Sequence, residues 1–190
     1  MRVVAALVSL AVLAGAAFGI SWLIYIHRYQ PLGLGNTGGL VRSVSVVDDG
    51  LGDEAYLVRG PTGTRATMMY SLRNDGPFDV TILGPESYPL GQMSFTWESI
   101  NSEAAGLPAM FAASHAMPAR LRSHQQIRLF VTVTKPRCTP GGSNVISGLP
   151  VRWKALGIHH VTQVDLTGGV GGRIALCFGA KALRLLPDHR

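Results

Sequence analysis

Between Val3 and Ile26 the chain runs for 24 residues without a charge, and all but Ser9, Gly15, Gly19 and Ser21 are apolar. No other feature restricts the fold as strongly. At about 1.5 Å per residue a helix of that length measures about 36 Å, enough to cross a hydrocarbon core of about 30 Å with some tilt. A cleavable secretory signal competes with this reading. Arg2 is a minimal basic start, and Ala14-Gly15-Ala16 has the small-x-small form of a cleavage site. Cleavage there would leave Phe18 to Ile26 as an apolar terminus, and the stretch exceeds the roughly 7–15 residues of a signal core. Trp22 and Tyr25 lie near one end, with His27, Arg28 and Tyr29 just beyond, in the manner of an interfacial aromatic belt. The segment therefore reads as an uncleaved signal-anchor over residues 1–29, ahead of a cleaved signal and of a buried core helix.

The whole chain of 190 residues is 47% apolar, but with this block removed the remaining 166 residues are only about 42% apolar, as in an ordinary soluble domain. One domain behind one anchor follows from the length, and a polytopic membrane protein is excluded. Heptads and long charge runs are missing, which excludes a coiled coil and an extended disordered chain. The basic residues nearest the anchor, Arg2 before it and Arg28 and Arg42 after it, are too evenly divided to orient it.

The cysteines supply the orientation. Cys138 and Cys177 are the only two. In an extracytoplasmic domain such a pair forms one disulfide, contributing roughly 3–4 kcal/mol by restricting the unfolded chain. Two unrelated buried thiols and half of a metal site are the alternatives. The sequence has no C-x-x-C and no histidine at finger spacing beside either cysteine, which argues against zinc. The expected location is the outer side of a cell membrane, with a single pass.

Residues 30–40 are rich in glycine and read as a linker. They contain a formal G-x-G-x-x-G at Gly33, Gly35 and Gly38, but a dinucleotide fingerprint needs a strand before it and a helix after it. A second run, Gly168 to Gly172, reads as a turn between strands. From Val41 onward the period is two. Met68, Tyr70 and Leu72 alternate with Met69, Ser71 and Arg73; Asn74-Asp-Gly-Pro77 then makes a tight turn, and Val80 and Ile82 return as a hairpin. Ile127, Leu129, Val131 and Val133 alternate with Arg128, Phe130, Thr132 and Thr134. With Val41–Asp48, Glu54–Val58, Phe95–Trp97, Val151–Ala155, Thr162–Leu166 and Ile174–Leu176 the total is about nine strands. Residues 103–113 have room for one short helical turn. The fold class is mainly β: an antiparallel immunoglobulin-like sandwich over residues 41–190, with Trp97 and Trp153 in its core.

Charge is segregated along the chain. Residues 44–118 hold three arginines against nine acids, and residues 119–190 hold eleven Lys and Arg against two acids. Mutual neutralisation between early and late strands is one reading. The other is a basic face from Arg120, Arg122, Arg128, Lys135, Arg137, Arg152 and Lys154, which would meet anionic lipid or an acidic envelope polymer. A membrane or envelope protein is a further possible partner. Nucleic acid is not expected, since aromatic interleaving and a recognised binding motif are missing.

Catalytic constellations are also missing. The acids at Asp48-Asp49 and Asp53-Glu54 look like a solvated hairpin turn, and no G-x-S-x-G, H-E-x-x-H or S-x-x-K occurs. An enzyme is not expected, nor a cofactor. One constellation is an exception. Met93, His115 and Met117 have the spacing M-x21-H-x-M, and thioether with imidazole selects copper(I) in an oxidising compartment. This spacing resembles that of periplasmic copper chaperones built as small β-sandwiches, whose pattern has a further His or Met where this chain has Ile82. His159 and His160 are adjacent, so on a strand they point to opposite faces.

A broader resemblance covers about 110 residues. Met69 to Ile82, Ile127 to Cys138, Leu149 to Arg152 and Ile174 to Cys177 resemble uncharacterised membrane-anchored or secreted proteins of actinobacteria. Fourteen arginines against three lysines fit a genome of high GC content. The resemblance implies a location and a fold, not an activity. The function expected from the sequence is a non-catalytic binding or structural module of the cell envelope, with copper(I) binding as the alternative.

Overall fold

A computed structural model of the chain describes residues 2–48, 54–87, 92–100, 106–167, 172–177 and 184–185, with the side chains of 2–11, 48 and 184–185 outside the description. The chain divides into two units, Met1–Gln30 and Pro31–Arg190.

The first unit is one helix, α1 (Arg2–Arg28). Trp22 and Tyr25 stack with ring centroids 6.0 Å apart, and Tyr25 lies 5.9 Å from Tyr29. The expected membrane span includes Val3 to Ala11, whose side chains lie outside the described residues. Among the described residues no helix is long and apolar enough to cross a membrane.

The second unit is mainly β, with fourteen strands among the described residues, arranged in three hydrogen-bonded sheets where the sequence suggested nine strands in two. The first sheet has the order β1 (Leu32–Arg42), β4 (Arg65–Asn74), β9 (Gln126–Thr134), β6 (Met93–Ser99) and β7 (His115–Ala116). The second is β10 (Asn144–Ile146), β13 (Arg173–Cys177), β3 (Glu54–Val58), β2 (Val44–Asp48) and β14 (Arg184–Leu185). The third is β12 (Ile158–Asp165), β11 (Gly148–Ala155), β5 (Val80–Pro85) and β8 (Ala119–Leu121). Pairing is antiparallel except between β13 and β3.

Three expectations are corrected by this topology. The glycine-rich residues 30–40 are not a linker, because β1 pairs with β4 from Leu32↔Asn74 to Arg42↔Thr67. Glycine serves close approach here: a Cβ on Gly35 would collide with Gln126 and the Ser71 hydroxyl, and one on Gly39 with Leu107. Val41–Asp48 is two strands, not one. Ser43 has φ 56 and turns the chain from the first sheet into the second. Finally, β4 and β5 do not form a hairpin. Both edges of β4 are already occupied by β1 and β9, so the Asn74–Asp79 turn carries the chain across to the third sheet.

Asn74 builds that crossing. It is fully buried, and its Nδ2 donates to the carbonyls of Phe78, Leu121 and Arg122 at 2.8, 3.3 and 3.0 Å, while Oδ1 accepts from Gly76 N–H at 3.1 Å. A side chain thus replaces the ladder bonds that a hairpin would have used.

The alternation in β9 predicts one apolar face, and Ile127, Leu129, Val131 and Val133 are indeed buried with Met68, Tyr70 and Leu72 of β4. Tyr70 packs 5.8 Å from Tyr56 of the second sheet and donates to the Gly172 carbonyl. Burial pushes the Tyr70 phenol well up, and Tyr56 to about 12. The opposite face of β9 is covered too. The short helix α2 (Leu107–Ala112) lays Phe111 5.5 Å from Phe130, which is fully buried. Trp153 is also fully buried, but Trp97, expected in the core, is half-buried, with Nε1 donating to the Ala116 carbonyl.

Cys138 and Cys177 form a disulfide with Cα atoms 5.6 Å apart. It ties the segment leaving β9 of the first sheet to the last residue of β13 in the second.

Candidate functional site

From Val151 onward strand β11 alternates: Val151, Trp153 and Ala155 are buried, while Arg152 and Lys154 are exposed. The inward side is rigid. Trp153 stacks on His160 at 4.2 Å, and its Nε1 donates to Thr162 Oγ1 at 2.9 Å. The outward side brings basic side chains together because registers align across four strands. Arg120 of β8 opposes Thr81 of β5, Thr81 opposes Lys154, and Lys154 opposes His159 of β12. Directly opposed side chains stand about 5 Å apart on one face, so the row is continuous. Arg152, two residues from Lys154, lies on the same face, opposite Val161, which is 54% exposed.

The seven basic residues do not form one face. Arg128 lies on β9 of the first sheet, two-sided and covered, with a side chain 17% exposed and 3.9 Å from Glu98. Lys135 donates from Nζ to the Val58 carbonyl. Arg122 sits in the tight turn after β8, where its N–H bonds Gln125 Oε1, and Arg137 follows β9 outside any strand. Only Arg120, Arg152 and Lys154 share the third sheet, because a row is set by hydrogen-bond register and not by position along the chain.

Neutralisation and exposure coexist. Arg120 bonds Asp79 at 2.9 Å, Arg152 lies 3.7 Å from Glu86, and Arg128 meets Glu98. Each pair joins one acid of residues 44–118 to one base of residues 119–190. The guanidinium of Arg120, with the Ser123 N–H, holds the Asp79 carboxyl below its usual range. Among the described residues Lys154 has no carboxylate partner.

Arg152, beside the row, also lines a cleft of about 710 Å³. The polar face of the first sheet provides one wall: Arg65 opposes Thr134 across β4 and β9, and Thr134 N–H bonds the Gln92 carbonyl. Ser94 opposes Thr132 on β6, and Thr132 shares a 2.9 Å hydrogen bond with Thr67. Glu86 and Arg152 close the other side, with Arg152 Nε donating to the Pro85 carbonyl.

Met93 lines this cleft. His115 does not: it opposes Trp97, four residues further along β6, with rings 5.3 Å apart. That separation is about 13 Å along the strand. Met117 follows β7, at the peptide bond to Pro118. The copper spacing therefore does not bring its three residues side by side. Ile82, at the position of the missing fourth ligand, is fully buried in β5 of the other sheet. Among the described residues no group of three His, Cys, Asp or Glu side chains is placed to hold a metal. Asp49 to Asp53 lie outside the described residues, as do Gly168 to Gly171. Asp48 and Glu54 close the β2–β3 ladder as paired residues.

Sequence reasoning found Arg152 and Lys154 but missed Arg65, Glu86, Gln92, Ser94 and Thr134. The visible signal was the Thr132-Val-Thr134 alternation, which places two hydroxyls on one face. What these hydroxyls stand opposite is a matter of pairing. The site defines a disulfide-clipped β domain with a polar, cationic surface. No family model matches the chain, and no curated protein matches it.

Proposed function

We propose that this chain is a non-catalytic binding module of the cell envelope, held at the membrane by α1, whose third sheet docks an anionic surface. The row Arg120, Lys154 and His159, with Arg152 beside it, carries the reading. The arginines and lysine of this exposed face attract anionic polymers or headgroups and release their counterions on contact. Anchoring is supported by the composition of Val3 to Ile26 and by Val12, Leu13, Phe18, Ile20, Leu23 and Ile24 of α1, each 50% exposed or more. The disulfide favours the oxidising, outer side. The immunoglobulin-like sandwich reading is supported by the Tyr56–Tyr70 packing between the first and second sheets.

The test is retention of the detergent-solubilised full chain on immobilised polygalacturonate. The native chain is expected to elute at clearly higher salt than Arg120→Gln with Lys154→Gln, and equal elution would sink the docking face. A reporter fused after Arg190 tests the location; activity confined to the cytoplasm would reverse it.

A further inference from the structure

We infer that the cleft between the first and third sheets seats an anionic sugar, the acidic unit of the polymer that the third sheet docks; the inference rests on that docking reading. The cleft is not part of the basic row. It has its own wall, made by the polar face of β4, β9 and β6, and its volume of about 710 Å³ falls in the range of small-ligand sites.

Its chemistry is specific in two ways. Arg65 and Arg152 both line it, against the single carboxylate of Glu86. A guanidinium is a planar fork that takes a carboxylate or phosphate through two parallel N–H donors. Arg65 has no carboxylate partner among the described residues, so its fork is open. Arg152 is held by the Pro85 carbonyl through Nε, while its contact with Glu86 is long, at 3.7 Å, and half exposed. Such a pair is weak, and a ligand anion can share the guanidinium. The second component is neutral and hydroxyl-rich: Ser94, Thr134 and Gln92 line the same cleft. Hydroxyls and amides both donate and accept, which suits a polyol, and Glu86 adds an acceptor for a sugar hydroxyl.

The wall is fixed rather than adaptable. Thr134 is held in register opposite Arg65, and its N–H is bonded to Gln92 O. Thr132 Oγ1 is engaged with Thr67, which is only 2% exposed. Preformed polar walls of this kind reduce the ordering cost of binding.

Titration calorimetry on the full chain in detergent tests the inference with four probes: trigalacturonate, glucose 6-phosphate, maltotriose and inorganic phosphate. At least one acidic sugar is expected to bind about tenfold tighter than both maltotriose and inorganic phosphate. Trigalacturonate alone identifies a carboxylate ligand, glucose 6-phosphate alone a phosphoryl ligand, and both a shared anion site. Arg65→Gln with Arg152→Gln is expected to weaken binding at least about tenfold, and Arg65→Lys to weaken it less, since charge remains but the fork is lost. An unchanged urea midpoint in these variants excludes misfolding as the cause. Acidic sugars that bind no tighter than maltotriose, or that ignore the arginine substitutions, overturn the site. Inorganic phosphate binding as tightly as glucose 6-phosphate overturns the sugar. The two readings fail separately: Arg120→Gln with Lys154→Gln leaves calorimetric binding of the small sugar intact while lowering the salt at which the chain leaves the polymer, and Arg65→Gln with Arg152→Gln weakens the small sugar.

Discussion

The face of the first sheet that carries Thr67, Ser71, Phe130 and Glu98 and the outer face of the third sheet are both built by alternation along strands, yet they end in different environments. On the first, Thr67, Ser71 and Glu98 are 2%, 1% and 4% exposed. Thr67 pairs with Thr132 and Ser71 with the Thr37 backbone, while Glu98 lies 3.9 Å from Arg128 and its Oε2 makes no hydrogen bond among the described residues. On the third, Arg152, Lys154 and His159 are exposed. The difference lies in what covers the strands. On this stretch of the face, away from the cleft at its Arg65 and Thr134 end, α2 packs Phe111 on Phe130 and the β1 backbone bonds Ser71; an unpaired polar group trapped there costs about 1–3 kcal/mol. The third sheet stays open, and Lys154 on it has no carboxylate partner among the described residues.

The largest effect that would sharpen this contrast is at Phe130. Phe130→Ala is expected to cost about 3–5 kcal/mol by removing a fully buried ring, whereas Val161→Ala on the open face stays within about 0.5 kcal/mol; urea unfolding measures both. Replacing Cys138 and Cys177 together by Ser is expected to cost roughly 3 kcal/mol, read as a lower unfolding midpoint that matches the reduced native chain. Next come the ion pairs. Glu98→Gln leaves Arg128 half-sequestered and is expected to cost about 1–3 kcal/mol, while Glu86→Gln, in an exposed pair, costs less than about 1 kcal/mol. Equal losses would erase the distinction between covered and open faces.

The smallest effects are in pH dependence. Asp79 has a lowered pKa, so its contribution is present at neutral pH and is lost as pH falls through the acid range below the usual carboxylate value of 3.8. Asp79→Asn should flatten the acid limb of the stability profile. At the alkaline end Tyr56 is raised from 10.0 to about 12, so stability falls as pH climbs from 10 towards 12. Tyrosinate absorbance should show that late ionisation, and Tyr56→Phe should remove it.

Strand content was legible because period-two alternation in β4, β9 and β11 follows directly from side chains pointing to opposite faces. The glycine run of β1 is not legible as a strand, since local propensity favours a flexible linker where the sheet requires close approach. The Asn74 turn is legible as a turn but not as a crossing between sheets, because nothing local reveals that both edges of β4 are taken. For the site, Arg152 and Lys154 could be paired by their own alternation. Arg65 and Thr134 could not, being far apart in sequence and joined only by the β4–β9 register. Met93 and His115 illustrate the same limit, since their spacing counts residues and the ladder decides distance.

By itself the sequence determined the uncharged apolar segment, the β character, the cysteine pair and the segregation of acids from bases. These are local or compositional properties, set by side-chain chemistry and short-range periodicity. Only the tertiary structure decided which strands are neighbours, and therefore that Asp79, Glu86 and Glu98 meet late arginines, that Arg120, Lys154 and His159 form a row, and that Arg65 and Arg152 line one cleft. Register is a long-range quantity, fixed by the burial of whole faces at once.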